Sequence, residues 1–260
     1  MNVYTTDRIR NVVLLGHGGC GKTSLVEAMA YLAGMTSRMG KVEDGNTISD
    51  YDKEEIKRQF SISTTMVPIE YQGAEGKVKI NLLDTPGYFD FVGEVEEAVS
   101  VADAAIIVVN CKAGIEVGTE KAWELCEEYR LPRIIFVTNM DDDHASYREL
   151  VVKLETRFGR KIAPFQLPIR ENEKFVGFVN VVKMAGRRFT ELSDYVECEI
   201  PEYVEKNLTI ARDALIEAVA ETNEEYMERY FLGEEFTQEE ISTALREHVI
   251  EGEIVPVMMG

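Results

Sequence analysis

Residues 16–23 read GHGGCGKT, and the architecture of the chain can be worked out from them. They satisfy G-x-x-x-x-G-K-[ST]. They sit between an apolar strand-like run, Asn11–Leu15, and a helix-like stretch, Thr23–Leu32, the context in which this pattern makes a phosphate-binding loop. Gly18, Gly19 and Gly21 allow tight backbone turns, so that amide N–H groups converge on phosphate oxygens. The helix N-terminus adds a field that favours anions. Lys22 is placed to reach the outer phosphates of a nucleotide, and the Thr23 hydroxyl to ligate Mg²⁺. The candidate nucleotide-binding segment is therefore Gly16, His17, Gly18, Gly19, Cys20, Gly21, Lys22, Thr23 and Ser24.

Outward from this loop the chain alternates strand and helix. Asn11–Leu15, Val78–Leu83, Ala104–Asn110 and Arg133–Thr138 are short and nearly all apolar, as parallel strands buried on both faces should be. Helix-like stretches at Thr23–Leu32, Glu94–Ala102 and Thr119–Tyr129 separate them, and Asp143–Phe158 supplies a further helix. The expected fold class is α/β, with a mainly parallel sheet flanked by helices. After Gly159 the pattern changes. Phe175–Val182 and Arg187–Leu192 read as two strands around a turn at Lys183–Gly186. A helix follows with Val204, Leu208, Ala211, Leu215 and Val219 on one face. Thr237 to Glu240 has the form of a capping box opening another helix. Glu253–Met259 is strand-like again, so the second half reads as an α+β unit inserted before the last strand of the first.

The composition narrows the class. With 260 residues, 45% hydrophobic and 29% charged, the chain can form one large core or two modest ones. The first apolar run, Val12–Leu15, is too short for a secretory signal or a membrane span. Cys20, Cys111, Cys126 and Cys198 form no CxxC pair, which argues against a zinc centre or disulfide framework and fits a reducing cytoplasm. The three histidines stand apart, so a histidine metal site is not expected. Residues 191–260 hold nineteen acidic and four basic side chains, −15 of the chain's −19. Such a segment repels phosphate backbones and should not itself grip nucleic acid. It reads either as a solvated surface or as a docking face for a basic partner.

A second motif lies in residues 82–91, LLDTPGYFDF. Asp84 ends a strand and suits a carboxylate that holds Mg²⁺. Gly87 can bring its amide close to a terminal phosphate, because no side chain obstructs it. Tyr88 follows, where a group that handles water would be wanted.

The order of the phosphate loop, DTPG, DFVGEVEEAVSVADAAIIVVN and RIIFVTNMD resembles the G domain of translation elongation factor G. The similarity continues through PFQLPI, FVGFVNVVKM and the acidic helices to EGEIVPVMMG, matching that family's G′ insertion. The resemblance implies a G-domain core over residues 1–162, a G′ subdomain over 163–252 and a returning strand over 253–260. It also implies a much longer protein whose further domains mimic tRNA and contact the ribosome. The chain stops where the family carries its Ser-Ala guanine-reading turn. It therefore looks like an N-terminal part, expected to bind nucleotide poorly by itself.

Three positions depart from the family pattern. Switch I in the family reads Arg-Gly-Ile-Thr-Ile, with the Thr hydroxyl on Mg²⁺. Here RQFSIS puts Ser61 at that position and Gln59 in place of the glycine. Ser61 is read as a metal ligand with Thr23 and Asp84, or as an ordinary loop residue. The base-reading motif Asn-Lys-x-Asp becomes Thr138, Asn139, Met140, Asp141. Asp141 can still accept from guanine N1–H and the 2-amino group, or it can belong to a helix-capping acidic cluster with Asp142 and Asp143. Thr138 has no carboxamide to reach the base or brace the phosphate loop, and Asn139 lacks the lysine stem that covers the base. At Tyr88 the family usually has histidine, which orients the attacking water. A phenol is a poor base at neutral pH, and the alternative is an aromatic wedge beside Phe89 and Phe91.

Taken with these positions, the resemblance implies a GTPase using GTP, GDP and Mg²⁺, with Lys22, Gly87 and Tyr88 at the reaction centre. It would be a cytoplasmic, ribosome-dependent switch whose acidic G′ face docks a ribosomal stalk protein. The competing readings are a nucleotide-binding switch that barely hydrolyses and, more weakly, an ATP-dependent phosphotransferase.

Overall fold

A computed structural model describes residues 3–73, 76–142, 144–159, 161–191 and 194–260. Backbone contacts divide the chain into two compact units, residues 1–138 and 139–260.

In the first unit the strands and helices run β1 (Ile9–Leu15), α1 (Lys22–Leu32), α2 (Lys53–Arg58), β2 (Thr65–Gly73), β3 (Gly76–Asp84), α3 (Val92–Ser100), β4 (Ala104–Asn110), α4 (Val117–Glu128) and β5 (Arg133–Thr138). The strand order is β2-β3-β1-β4-β5. Only β2 runs antiparallel to its neighbour, and Leu14 of β1 stands beside Asp84 of β3. The four apolar runs read from the sequence are all strands of this sheet. Both faces are covered, which is why those runs lack polar alternation. Leu14, Leu82, Ile106 and Val108 pack with Val26 and Ala30 of α1. Val13, Leu15, Ile107 and Val109 alternate with them and are also buried. Helices α3 and α4 pack against β1 and β4.

Sequence reading missed β2 and α2. Pro68 interrupts the β2 pattern, and only Val67 and Ile69 are buried while Met66 and Tyr71 are exposed. This is the mark of an edge strand, where a missing N–H is tolerated. Helix α2 has six residues and is fixed by a capping box between Asp52 and Glu55. It ends at Gln59 with φ 59°, ψ 37°. That left-handed conformation suits glycine, and glutamine holds it at a steric cost.

The second unit contains α5 (Tyr147–Phe158), β6 (Ile162–Pro164), β7 (Gln166–Glu171), β8 (Lys174–Asn180), β9 (Ala185–Glu191), β10 (Asp194–Cys198), α6 (Glu202–Ala220), α7 (Glu224–Phe231), α8 (Gln238–Glu251) and β11 (Val255–Met259). An antiparallel sheet runs β10-β9-β8-β7, while β6 and β11 pair in parallel. The predicted hairpin is β8 and β9, with its turn two residues earlier than expected, because β8 ends at Asn180 and Ala185 and Gly186 already belong to β9. Leu192, the end of that predicted strand, and Asp143, the start of the predicted helix, lie outside the described residues. Helix α6 buries the predicted stripe. Val204, Leu208 and Ala211 join Ile169, Val179 and Val181, while Leu215 and Val219 meet Ile241, Ala244, Leu245 and Ile254. The capping box at α8 is present, with Glu240 N–H donating to Thr237 Oγ1 at 3.2 Å and Thr237 N–H to Glu240 Oε2 at 2.8 Å.

Candidate phosphate-binding site

The loop after β1 has the backbone its glycines predict. Gly16, Gly19 and Gly21 have φ of 143°, 77° and 98°, a region in which side-chain-bearing residues are strained. A methyl group on Gly16 would also run into the Val108 carbonyl oxygen. Gly21 caps α1, which starts at Lys22. The Lys22 ammonium is buried and donates to the carbonyls of Gly16 and His17 at 3.1 and 2.9 Å. Cys20 and Thr23 are buried, whereas Ser24 is exposed. His17 turns away to the start of α4, where its Nδ1 accepts from Gly118 N–H at 3.3 Å and its Nε2 stands 3.6 Å from Glu116. A methyl group on Gly118 would come within 2.5 Å of His17 Cα, so that glycine permits a close backbone approach.

Asp84 ends β3 at 1% exposure, and among the described residues neither carboxylate oxygen has a hydrogen-bond partner. Burial pushes its carboxyl up to about 6, opposed by the Ser49 hydroxyl, the Lys22 ammonium and the Thr23 hydroxyl. Those hydroxyls approach without reaching hydrogen-bond geometry. Thr23 Oγ1 lies 3.3 Å from Ser61 Oγ, and Ser61 Oγ donates to Asp50 Oδ1 at 2.7 Å. Burial raises the Asp50 carboxyl as well, with the Ser61 hydroxyl opposing it. The three residues expected to hold a metal, Thr23, Ser61 and Asp84, are all buried, and Asp50 is an addition that no motif announced. An unsatisfied buried carboxylate is costly. Beside two hydroxyls and a second carboxylate, it makes an oxygen-donor set that fits a hard divalent cation.

The segment carrying Ser61 is tied down by acids that sequence reading did not single out. Glu27 of α1 is 1% exposed and accepts from Gly40 N–H at 2.8 Å and from Ile48 N–H. Glu55 accepts from Ile62 and Ser63 N–H at 2.9 and 3.2 Å, and Glu94 from Thr64 N–H at 2.7 Å.

Gly87 lies against the loop. A methyl group on it would be 2.6 Å from Gly18 N and from Lys22 Nζ. Tyr88 is 44% exposed and turns its ring onto Gly18. Its aromatic partner is Phe60, with ring centroids 4.7 Å apart. Phe91 also meets Phe60, at 6.4 Å, and Phe89 meets His17 at 6.2 Å. Tyr88 thus meets an aromatic ring from the segment that carries Ser61, whereas Phe89 and Phe91 pair with His17 and Phe60. A cavity of about 420 Å³ continues from Gly16, Gly87 and Tyr88 between α3 and α4.

At the end of β5, Thr138 departs from its sequence reading. Its hydroxyl donates to the Cys20 carbonyl at 2.7 Å, so it does brace the phosphate loop without a carboxamide. A methyl group on Gly21 would meet the Thr138 side chain at 3.3 Å, which places the two in close register.

In the second unit Asn139 has φ 56°, a conformation asparagine tolerates well. Asp141 is exposed, while Met140 is buried and its carbonyl accepts from Arg170 at 2.6 Å. Helix α5 begins after Ser146, and Asp142 instead accepts from His144 N–H at 2.9 Å, closing a local turn. A cavity of about 670 Å³ lies in this unit between α5 and α6 and contains none of the expected site residues. His248 is not isolated as the sequence suggested. It bonds Glu253 and stands 4.0 Å from Glu251, both exposed acids at the end of α8. Among the described residues no helix is long and apolar enough to cross a membrane.

A glycine-shaped loop enclosing a buried lysine, with a strand-ending carboxylate beside it on a mainly parallel sheet, defines a P-loop nucleotide-binding protein. Comparison with known proteins gives the particular family. Residues 7–260 match the elongation factor Tu GTP binding domain, and the chain belongs to that family. Elongation factor G of Thermotoga petrophila is 36% identical over 256 residues, 98% of this chain and 36% of that protein. Elongation factor G of Thermotoga maritima is 35% identical over the same shares. A crystal structure of a Thermus thermophilus protein superposes with a TM-score of 0.90 at 38% identity, covering 97% of this chain and 37% of that one. The chain therefore spans about a third of the length of the curated relatives it matches.

Proposed function

We propose that this domain binds GTP with Mg²⁺ and hydrolyses it to GDP and phosphate, as the switch of a cytoplasmic, ribosome-dependent factor of the elongation factor G type. The supporting observation is the sealed, partnerless Asp84 carboxylate beside Lys22, Thr23 and Ser61. Thr23, Ser61 and Asp84 are the residues that would hold Mg²⁺, which when bound would offset phosphate charge. The loop amides from Gly16 to Ser24 cradle the inner phosphates, and Lys22 exchanges its loop carbonyls for phosphate oxygens. Gly87 N–H donates to the terminal phosphate. Tyr88 offers its hydroxyl to the attacking water, which forms the new P–O bond as the bond to the GDP oxygen breaks. Without the ribosome this turnover is slow. Asp141 reads guanine, and with Thr138 and Asn139 in place of the family's residues guanine is preferred but held less tightly.

In this reading residues 1–162 form the G-domain core, 163–252 the G′ subdomain and 253–260 the returning strand of the G domain. The acidic face of residues 191–260 docks a ribosomal stalk protein and does not grip nucleic acid. The test is GTP turnover by the full-length protein with and without ribosomes, for wild type, Lys22→Ala and Tyr88→His. Stimulated wild-type turnover, lost in Lys22→Ala and raised in Tyr88→His, is expected. Unstimulated wild-type protein would overturn the reading and leave a switch that binds without hydrolysing, while equal affinity for ATP and GTP would remove the guanine preference.

A further inference from the structure

Gly87 fills the part of the phosphate loop where an outermost phosphate would meet the Gly18 amide and Lys22. A methyl group on it would lie 2.6 Å from Gly18 N, Gly18 Cα and Lys22 Nζ, closer than side-chain carbons come to such atoms. Lys22, meanwhile, is satisfied by two carbonyls of its own loop, Gly16 and His17. The backbone that would sense a terminal phosphate and the ammonium that would neutralise it are thus both engaged with the loop.

Two aromatic contacts lie next to Gly87. The ring of Tyr88, the next residue, lies over Gly18, where a methyl group would meet Cζ, Cε2 and Cε1 at 3.0, 3.2 and 3.3 Å. Gly18 has an ordinary backbone conformation, so its lack of a side chain serves the ring rather than a turn. Phe60 packs on the Tyr88 ring with centroids 4.7 Å apart, tilted by 57°. Phe60 immediately precedes Ser61, which reaches Thr23 and Asp50. The ring contact therefore links the segment after β3 to the segment that carries the third expected metal ligand.

We propose that Gly18, Phe60 and Tyr88 set the preference between nucleoside diphosphate and triphosphate: the Tyr88 ring, seated on Gly18 and backed by Phe60, keeps Gly87 in the terminal-phosphate position. A diphosphate occupies the loop without moving them. A triphosphate must first lift Gly87 and break the ring contacts, so its apparent affinity falls by the equilibrium constant of that contact. An aromatic pair of this kind is worth roughly 2- to 10-fold. The inference rests on the proposed nucleotide site and adds a role for the phenol ring distinct from that of its hydroxyl.

The experiment is titration of the full-length protein with fluorescent GDP and with a non-hydrolysable GTP analogue, for wild type, Tyr88→Ala, Phe60→Ala, Gly18→Ala and Tyr88→Phe. Tyr88→Ala and Phe60→Ala should improve binding of the analogue relative to GDP by roughly 2- to 10-fold. Gly18→Ala should move the ratio in the same direction by pushing the ring off while keeping the phenol. Tyr88→Phe should leave it unchanged, because ring atoms make the contact. An unchanged ratio in both Tyr88→Ala and Phe60→Ala, with GDP binding intact, overturns the proposal. Failure of the wild type to bind either nucleotide overturns the underlying site instead.

Discussion

Acidic side chains are placed in contrasting ways in the two units. In residues 1–138, Glu27 and Glu55 are sealed at 1% and 2% exposure and accept backbone N–H groups from the segment that carries Ser61. In residues 139–260, Arg229 gathers Glu240 and Glu234 at the surface, and much of the −15 charge of residues 191–260 faces outward. A buried carboxylate that satisfies two N–H groups cannot be replaced by water, whereas a surface acid can. The first arrangement fixes the backbone around a chemical site, and the second leaves a charged exterior.

Substitutions in each unit can break or sharpen that contrast. The largest effect is expected for Glu27→Ala, which strands the Gly40 and Ile48 N–H groups. Each buried donor left unpaired costs about 1–3 kcal/mol, so a loss of about 3 kcal/mol should appear in urea unfolding of the domain. The single tryptophan, Trp123 in α4, provides the signal. A loss under about 0.5 kcal/mol would show that these donors find other partners.

A smaller change is expected for Thr138→Val, which keeps the shape and removes the hydroxyl bonded to the Cys20 carbonyl. It should lower stability by about 1 kcal/mol and weaken GDP binding a few-fold, read by calorimetry on the full-length protein. Full retention of both would mean the bond does not brace the loop.

The smallest effect should come from Glu240→Gln in the second unit. Arg229 beside Glu240, helped by the Thr237 backbone and hydroxyl, lowers its carboxyl to about 2. A carboxyl lowered on folding adds stability that is complete above its unfolded value, near about 4.3, and fades as pH falls toward the folded one. The melting-temperature difference between wild type and Glu240→Gln should be small at pH 7 and shrink between pH ~4.5 and ~2. A difference that grows on acidification would contradict this.

Much of the fold could be read from contiguous patterns. Val13 to Leu15 and Ala105 to Val109 are unbroken apolar runs because both faces of their sheet are covered. The α6 stripe and the Thr237–Glu240 box are equally local, since one helix presents all of their members. The antiparallel edge strand β2 and the short helix α2 were not legible, because a half-exposed strand with a proline and a six-residue helix carry little periodic signal.

The candidate site divides in the same way. Gly16 to Thr23 and Asp84 to Gly87 are recognisable by themselves, because phosphate binding needs adjacent amides and a glycine wherever the backbone turns sharply. Positive φ at Gly16, Gly19 and Gly21 follows from that demand. Tertiary structure alone decided which side chains steady these segments. Thr138 reaches Cys20 across 118 positions, Gly118 reaches His17 across 101, and Ser61 reaches Thr23 across 38. It also seated the Tyr88 ring on Gly18 and against Phe60. A sequence records the residue types that local backbone chemistry requires. Which distant hydroxyl, carboxylate or ring completes a buried site depends on how the strands and loops pack, and one sequence leaves no local trace of that choice.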